Sequence, residues 1–245
     1  RFESLADALN PTSRFRAAFI WFYNKENEEN RMKQDKRDFD AILPDLDAVR
    51  RCITTLFPNL ANPRIAINPL RFVISQDGEE FEIDQLSDGY KTMLGLAIDL
   101  SRRLAAANPH LDDPLSAEAI VMIDEVDLHL HPAWQQRVVS DLLRCFPNTQ
   151  FILTTHSSVV VEGVNNLLKR FAVDKLLPES DESEDWMHIR NLYPLDPNDT
   201  AVYQITRDSE IDLMDREEGL TGDTLIDNFN DVSNLFHIMR SLEWD

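Results

Sequence analysis

Apolar positions recur at helical spacing near the start of the chain, where Phe15, Ala18, Phe19, Phe22 and Tyr23 fall on one face and Trp21 adds aromatic surface. Asn24 to Asp40 is then strongly polar, with opposite charges alternating as on a solvated helix or a coiled arm. From Phe39 to Phe57 the helical period returns through Ile42, Leu46, Val49, Ile53 and Leu56, and Pro58-Asn59 ends it. Residues 1–60 are therefore expected to form a helical insertion, a surface helical hairpin or else a protein-binding arm. Residues 64–83 alternate between apolar and polar, as short antiparallel strands do, with Asp77-Gly78 as the turn dipeptide. The run that follows, TMLGLAIDLSRRLA, is helical again, with Met93, Leu96, Ala97, Leu100 and Leu104 as its apolar face.

Two short runs rich in branched residues stand out further on, Ala119 to Ile123 and Phe151 to Leu153, separated by a helix-like stretch. Such runs read as strands buried on both faces, and a helix between two of them makes a βαβ unit with a parallel sheet. The fold class that follows is α/β. Residues 106–118 are a turn-rich linker into the first run. Beyond the second, residues 159–177 read as a helix or irregular connection, 178–186 as an acidic loop, and Met187–Tyr193 and Ala201–Thr206 as strands. The tail from Thr221 looks helical, with Leu225, Phe229, Leu235, Phe236 and Met239 able to pack. The expected organisation is a helical insertion over 1–60, a core over 61–177 and a C-terminal extension over 178–245.

Composition narrows the setting. A chain of 245 residues with 43% hydrophobic and 28% charged content has ample length for a core. Its net charge of −20 repels phosphate backbones, which disfavours direct nucleic-acid binding by this chain alone. Cys52 and Cys145 stand in no metal or redox spacing and point to a reducing, cytoplasmic environment. No stretch has the uninterrupted apolar length of a membrane span, and the first residues do not read as a signal peptide. The absence of an initiator Met hints at an excerpt of a longer protein.

The chemistry gathers at the ends of the two apolar runs. The first ends in Asp124-Glu125 and the second in Thr154-Thr155-His156-Ser157. Parallel strands deliver polar groups at their carboxyl ends, where α/β sheets bind ligands. An apolar strand ending in Asp-Glu is what a nucleoside triphosphatase needs. The Asp can hold Mg²⁺, usually through water, at the β- and γ-phosphates, while the Glu polarises the attacking water. A His after the next strand can stabilise the γ-phosphate. Ser87 and Gly89 lie just before or within the first turn of the helix after Leu86, whose free N–H groups and dipole suit an anion such as phosphate. A simple Ser N-cap explains the same residues.

In order and context, these motifs resemble the C-terminal half of an ABC-type ATPase head, the P-loop NTPase group that includes SMC, Rad50 and RecF-like proteins. On that resemblance Leu86-Ser87-Asp88-Gly89 corresponds to the signature motif, with Asp88 where Gly is commonest. Val121-Met122-Ile123-Asp124-Glu125 looks like the Walker B strand with its catalytic Glu, Val126 to Leu130 lies where the family has its D-loop, and His156 matches the switch histidine. The wording DEVDLHLHP…FPNTQFILTTHS is closer still to the bacterial AAA-type ATPases of overcoming-lysogenisation and Septu-like antiphage systems. The match covers roughly residues 82–160. It implies Glu125 and His156 as catalytic groups, Asp124 as the Mg²⁺ residue, and Ser87, Asp88, Gly89 and Asp127 as contacts to ATP from a second copy.

One part of such a site is not in the sequence. None of the six glycines stands in the Walker A pattern G-x-x-x-x-G-K-[S/T]. The nucleotide cradle is thus expected upstream of Arg1, and a degenerate, inactive scaffold is the alternative. Asp127-x-His129-x-His131 has the look of a metal cluster, but Pro132 marks a helix start there. His156-Ser157 lacks the G-x-S-x-G elbow of a hydrolase, and Asp212 and Asp215 do not follow an apolar strand as nuclease carboxylates would. The resemblance implies an ATP-hydrolysing, head-to-head dimer that gates a separate nuclease of HNH type, with nucleic acid reached through that partner and no membrane. A RecF- or SMC-like role in DNA repair or chromosome maintenance is the other task such an ATPase would have.

Overall fold

The computed structural model describes residues 11–76, 78–174, 189–205, 210–212, 214–215 and 220–221. The acidic loop over 178–186 and the tail beyond Thr221 lie outside them, as does Asp77. The chain groups into two compact units: Arg1–Asp124 with Leu128–His131 and Asp141–Thr154, and Glu125–Asp127 with Pro132–Ser140 and Thr155–Asp245.

In the first unit α1 runs unbroken over Pro11–Lys36, joining the aromatic segment to the polar one. The polar half is not simply a solvated face. Glu29 is only 2% exposed, because its carboxylate accepts two hydrogen bonds from Nη1 of Arg50 at 3.0 and 2.9 Å and one from the Leu43 N–H at 3.2 Å. Burial pushes the Glu29 carboxyl up, but the Arg50 and Leu43 hydrogen bonds and the charges of Arg50 and Lys33 outweigh it and hold it below the ordinary glutamate range. Glu26, one turn earlier, accepts the Ile65 N–H at 2.9 Å, and there burial prevails and raises the carboxyl.

Helix α2, Pro44–Leu56, opens with Pro at its first position and Asp45 and Asp47 in its first turn, where a fixed φ and negative charge both favour a helix start. Leu46, Val49, Cys52, Ile53 and Leu56 are its buried stripe, following the period of the sequence. Strands β1 (Leu60–Ala66), β2 (Arg71–Gln76) and β3 (Glu79–Glu82) form an antiparallel sheet in that order. Gly78 turns β2 into β3 at φ 86°, a conformation glycine adopts without strain. Phe22 of α1 packs edge-on against Phe72 of β2, with centroids 5.0 Å apart.

Helix α3, Asp88–Ala107, buries Met93, Leu94, Ala97, Ile98, Leu100 and Leu104, and Tyr90 in its first turn stacks on Phe57 at 5.4 Å. The expected parallel pair is present. Strand β4 (Ala119–Ile123) lies beside β5 (Thr149–Leu153), with Ala119 opposite Thr149 and Ile123 opposite Leu153. One difference from the sequence reading matters. Burial on both faces was expected, but Ile120, Met122 and Ile152 on one face are 69%, 76% and 46% exposed. Among the described residues this sheet has two strands and no layer over that face.

Between the strands the chain makes α4 (Pro132–Gln135) and α5 (Val138–Cys145), so Pro132 does start a helix. In the second unit α6, Ser158–Ala172, follows the Ser157 cap, whose hydroxyl accepts the Val159 N–H. Its Gly163 sits so close to the backbone of Gln136 that an added Cβ would lie 2.5 Å from the Gln136 carbonyl oxygen. Short antiparallel pairs join β6 (Tyr203–Ile205) to β7 (Glu210–Asp212) and β8 (Met214–Asp215) to β9 (Leu220–Thr221). A strand was expected over Met187–Tyr193. Its described part is instead a short helical turn at Ile189-Arg190, tied by the Leu192 N–H to the Ile189 carbonyl at 3.1 Å.

Candidate functional site

In the first unit, the parallel register that pairs Ile123 with Leu153 brings the next residues, Asp124 and Thr154, side by side. The Thr154 N–H donates to the Ile123 carbonyl at 3.0 Å, and the Thr154 hydroxyl donates to Oδ1 of Asp124. The carboxylate is thus fixed through one oxygen at the exposed carboxyl end of β4. Magnesium is typically held by one or two carboxylates plus substrate phosphates and waters, rather than by a cage of protein ligands. An exposed carboxylate with one oxygen already oriented fits that mode. Among the described residues no group of three His, Cys, Asp or Glu side chains could hold a metal ion, so Asp127, His129 and His131 are not gathered into one.

Ser87 occupies the N-cap position of α3 with extended backbone, φ −62° and ψ 158°, and its carbonyl accepts the Lys91 N–H at 3.1 Å. Its hydroxyl, however, makes no capping hydrogen bond, and the residue is exposed. The helix start therefore keeps a hydroxyl and its first N–H groups, including those of Asp88 and Gly89, at the positive end of a 20-residue helix. Gly89 itself is buried.

In the second unit, Glu125 is exposed and has φ 51°, in the left-handed region that a residue with a side chain rarely adopts. The turn takes the chain out of the strand direction. Asp127 rather than Glu125 then receives the hydroxyl of Thr155, the partner one step beyond Thr154. The Thr155 oxygen also accepts the Ser157 N–H at 3.0 Å, and the Ser157 hydroxyl donates to Oε1 of Gln135 at 2.6 Å. The residues on either side of exposed His156 are thus pinned by hydrogen bonds, which sets the backbone that carries the imidazole. His129 also has positive φ, 64°.

Sequence reasoning gave Thr154, Thr155 and Gln135 no role. A pair of hydroxyl residues immediately after an apolar run, matching an acidic pair after its parallel neighbour, is the signal that could have found the threonines.

Comparison with known proteins supplies the context. Residues 10–162 match a family model described as "AAA domain, putative AbiEii toxin, Type IV TA system". The chain is 39% identical over 142 residues to the "Retron Vc95 probable ATPase" of Vibrio cholerae serotype O1 biovar El Tor, a match over 58% of this chain and 27% of that protein. It is 42% identical over 83 residues to the "Septu protein PtuA" of Bacillus mycoides (strain KBAB4), over 34% of this chain and 11% of that one. Among solved structures, the SMC head domain from Thermotoga maritima aligns at 27% identity with a TM-score of 0.37, over 53% of this chain and 44% of that one. The chain spans about a quarter of the length of the retron relative, whose match covers 27% of it.

Proposed function

The chain belongs to this AAA-domain family, and from that premise we propose that it is the signature-and-Walker-B part of a subunit that binds and hydrolyses ATP. The observation that carries the reading is the pair of carboxylates Asp124-Glu125 at the end of a parallel strand, with Asp124 oriented by Thr154. Bound Mg²⁺ would neutralise charge on the β- and γ-phosphates, and Asp124 would hold it through water. Glu125 takes a proton from the attacking water as that oxygen bonds to the γ-phosphorus and the bond to the β–γ bridging oxygen breaks. His156 donates a hydrogen bond to a γ-phosphate oxygen. Ser87 and the N–H groups of Asp88 and Gly89 act on ATP bound by a second copy, with Asp127 beside the shared site, so each site needs two protomers. The products are ADP and inorganic phosphate.

The wider role we propose is antiphage defence, in which ATP-driven closing and opening of the dimer gates a separate nuclease of HNH type in the cytoplasm. The likeness to retron and Septu proteins supports it. No helix among the described residues is long and apolar enough to cross a membrane.

The test is Glu125→Gln in the complete polypeptide. It should lower turnover at least ~100-fold, the scale of a lost general base, while leaving ATP bound in a trapped dimer. Hydrolysis at the native rate by that variant would sink the assignment, and co-purification without any nuclease would sink the proposed partner.

A further inference from the structure

Gln135 belongs to none of the motifs that mark the nucleotide site, yet its side chain is engaged at both ends. Its Nε2 donates to the Asp127 carbonyl at 3.5 Å, and its Oε1 accepts the Ser157 hydroxyl at 2.6 Å. A carbonyl can only accept, which fixes the orientation of the amide and leaves Oε1 for the hydroxyl. On the far side, the Thr155 hydroxyl donates to Oδ1 of Asp127 and its oxygen accepts the Ser157 N–H at 3.0 Å. Asp127, Gln135, Ser157 and Thr155 therefore close a circuit of hydrogen bonds, and exposed His156 is carried between two of its members. The support of the amide is stiff. Gln135 is the last residue of α4, and the next carbonyl, that of Gln136, lies so close to α6 that only a glycine fits at position 163. Helix α6 in turn starts at the Ser157 cap, whose hydroxyl also accepts the Val159 N–H at 3.2 Å.

We propose that Gln135 is a positioning residue, whose amide clamps the loop of Asp127 to the loop of His156 so that both approach a nucleotide as one body. The task demands a neutral side chain with a donor and an acceptor at the same reach. A glutamate of equal length offers only acceptors when ionised, and a leucine offers neither. The amide acts through its neighbours rather than on the reacting atoms, because both of its ends are spent inside the circuit. Its effect on turnover rests on the function proposed above; the clamp itself does not. Small displacements of a group that meets a transferring phosphate are costly, so a support that joins two such loops controls rate more than affinity.

Steady-state ATP hydrolysis by the complete polypeptide reads the effect on chemistry. Gln135→Leu and Gln135→Glu should each lower kcat about 10- to 100-fold, the usual effect of losing a group that supports a site, with KM for ATP changed less than about 3-fold. Thr155→Val opens the same circuit at the opposite corner. Combined with Gln135→Leu it should be no slower than the slower single variant, and effects that multiply overturn the proposal, because the two residues then act independently. A native kcat in Gln135→Leu also overturns it, as does a native kcat in Gln135→Glu, since accepting from Ser157 would then suffice. Amide exchange reads the clamp without ATP. In Gln135→Leu the N–H groups of Ser157 and Val159 should exchange about 10-fold faster, while those of buried Leu167 and Leu168 in α6 keep their native rates. Unchanged exchange at Ser157 and Val159 overturns the clamp, and faster exchange at all four positions does so too, because Gln135 then merely holds α6 together. A native polypeptide that hydrolyses no ATP but shows the expected local exchange would lose the proposed function and keep the clamp.

Discussion

Thr154 donates its hydroxyl to Asp124 at the exposed end of β5, so replacing that hydroxyl tests the orientation of the carboxylate. Thr154→Val should raise the Mg²⁺ concentration needed for half-maximal ATP hydrolysis about 10-fold, the usual effect of losing an outer partner of a metal ligand. Thr154→Ser, which keeps the hydroxyl, should stay near the native value. An unchanged Mg²⁺ dependence in the valine variant would remove Thr154 from the site. The carboxylates themselves were legible, because an apolar run ending in Asp-Glu is a one-dimensional pattern. The threonines' roles were not, because they depend on the register of two strands 30 residues apart in sequence, which fixes that Thr154 meets Asp124.

Among the elements, the stripes of α2 and α3 followed their periodicity through Leu46, Val49, Ile53, Met93, Ala97 and Leu104, which are buried, but the expected start at Phe39 and Ile42 did not hold: both precede Pro44, where α2 begins, and are exposed. The polar half of α1 was misread for a physical reason. Alternating charges look solvated until a partner is known, and Arg50, 21 residues beyond Glu29, lies on the next helix. Glu29→Gln should destabilise the protein by about 2 kcal/mol near neutral pH, because it weakens a charge-assisted, partly buried pair while Arg50 keeps Glu26 nearby. The folded-state carboxyl of Glu29 is depressed, so its stabilisation is full above the ordinary glutamate range and is lost as pH falls through the lower folded-state value. The gap between native and variant in urea unfolding should therefore close under acid conditions. Glu26, with a raised carboxyl, contributes in the opposite sense and flattens the native profile. In the second unit Gly163→Ala should cost about 1–3 kcal/mol by overpacking α6 against the Gln136 backbone, read as a lower unfolding midpoint.

At the scale of the whole molecule, the proposed sharing of the site between two copies makes a quantitative demand. On that proposal Ser87→Arg would spoil the surface a protomer lends to its partner, whereas Glu125→Gln would spoil the site it keeps. Each variant alone should be inactive, but a heterodimer of the two retains one intact site. Random pairing of an equal mixture should therefore restore about a quarter of native turnover if the interface is two-fold symmetric. A mixture as dead as its components would show that each protomer works alone. The backbone of Glu125 carries a further consequence for how such a protein ages under mutation. Holding a side-chain-bearing residue at φ 51° costs about 1–2 kcal/mol that glycine would not incur. A lineage released from selection for hydrolysis would thus gain stability by exchanging this glutamate for glycine, and drift runs readily in that direction. Glu125→Gly should therefore raise the unfolding midpoint, and an unchanged midpoint would show that the turn carries no such cost.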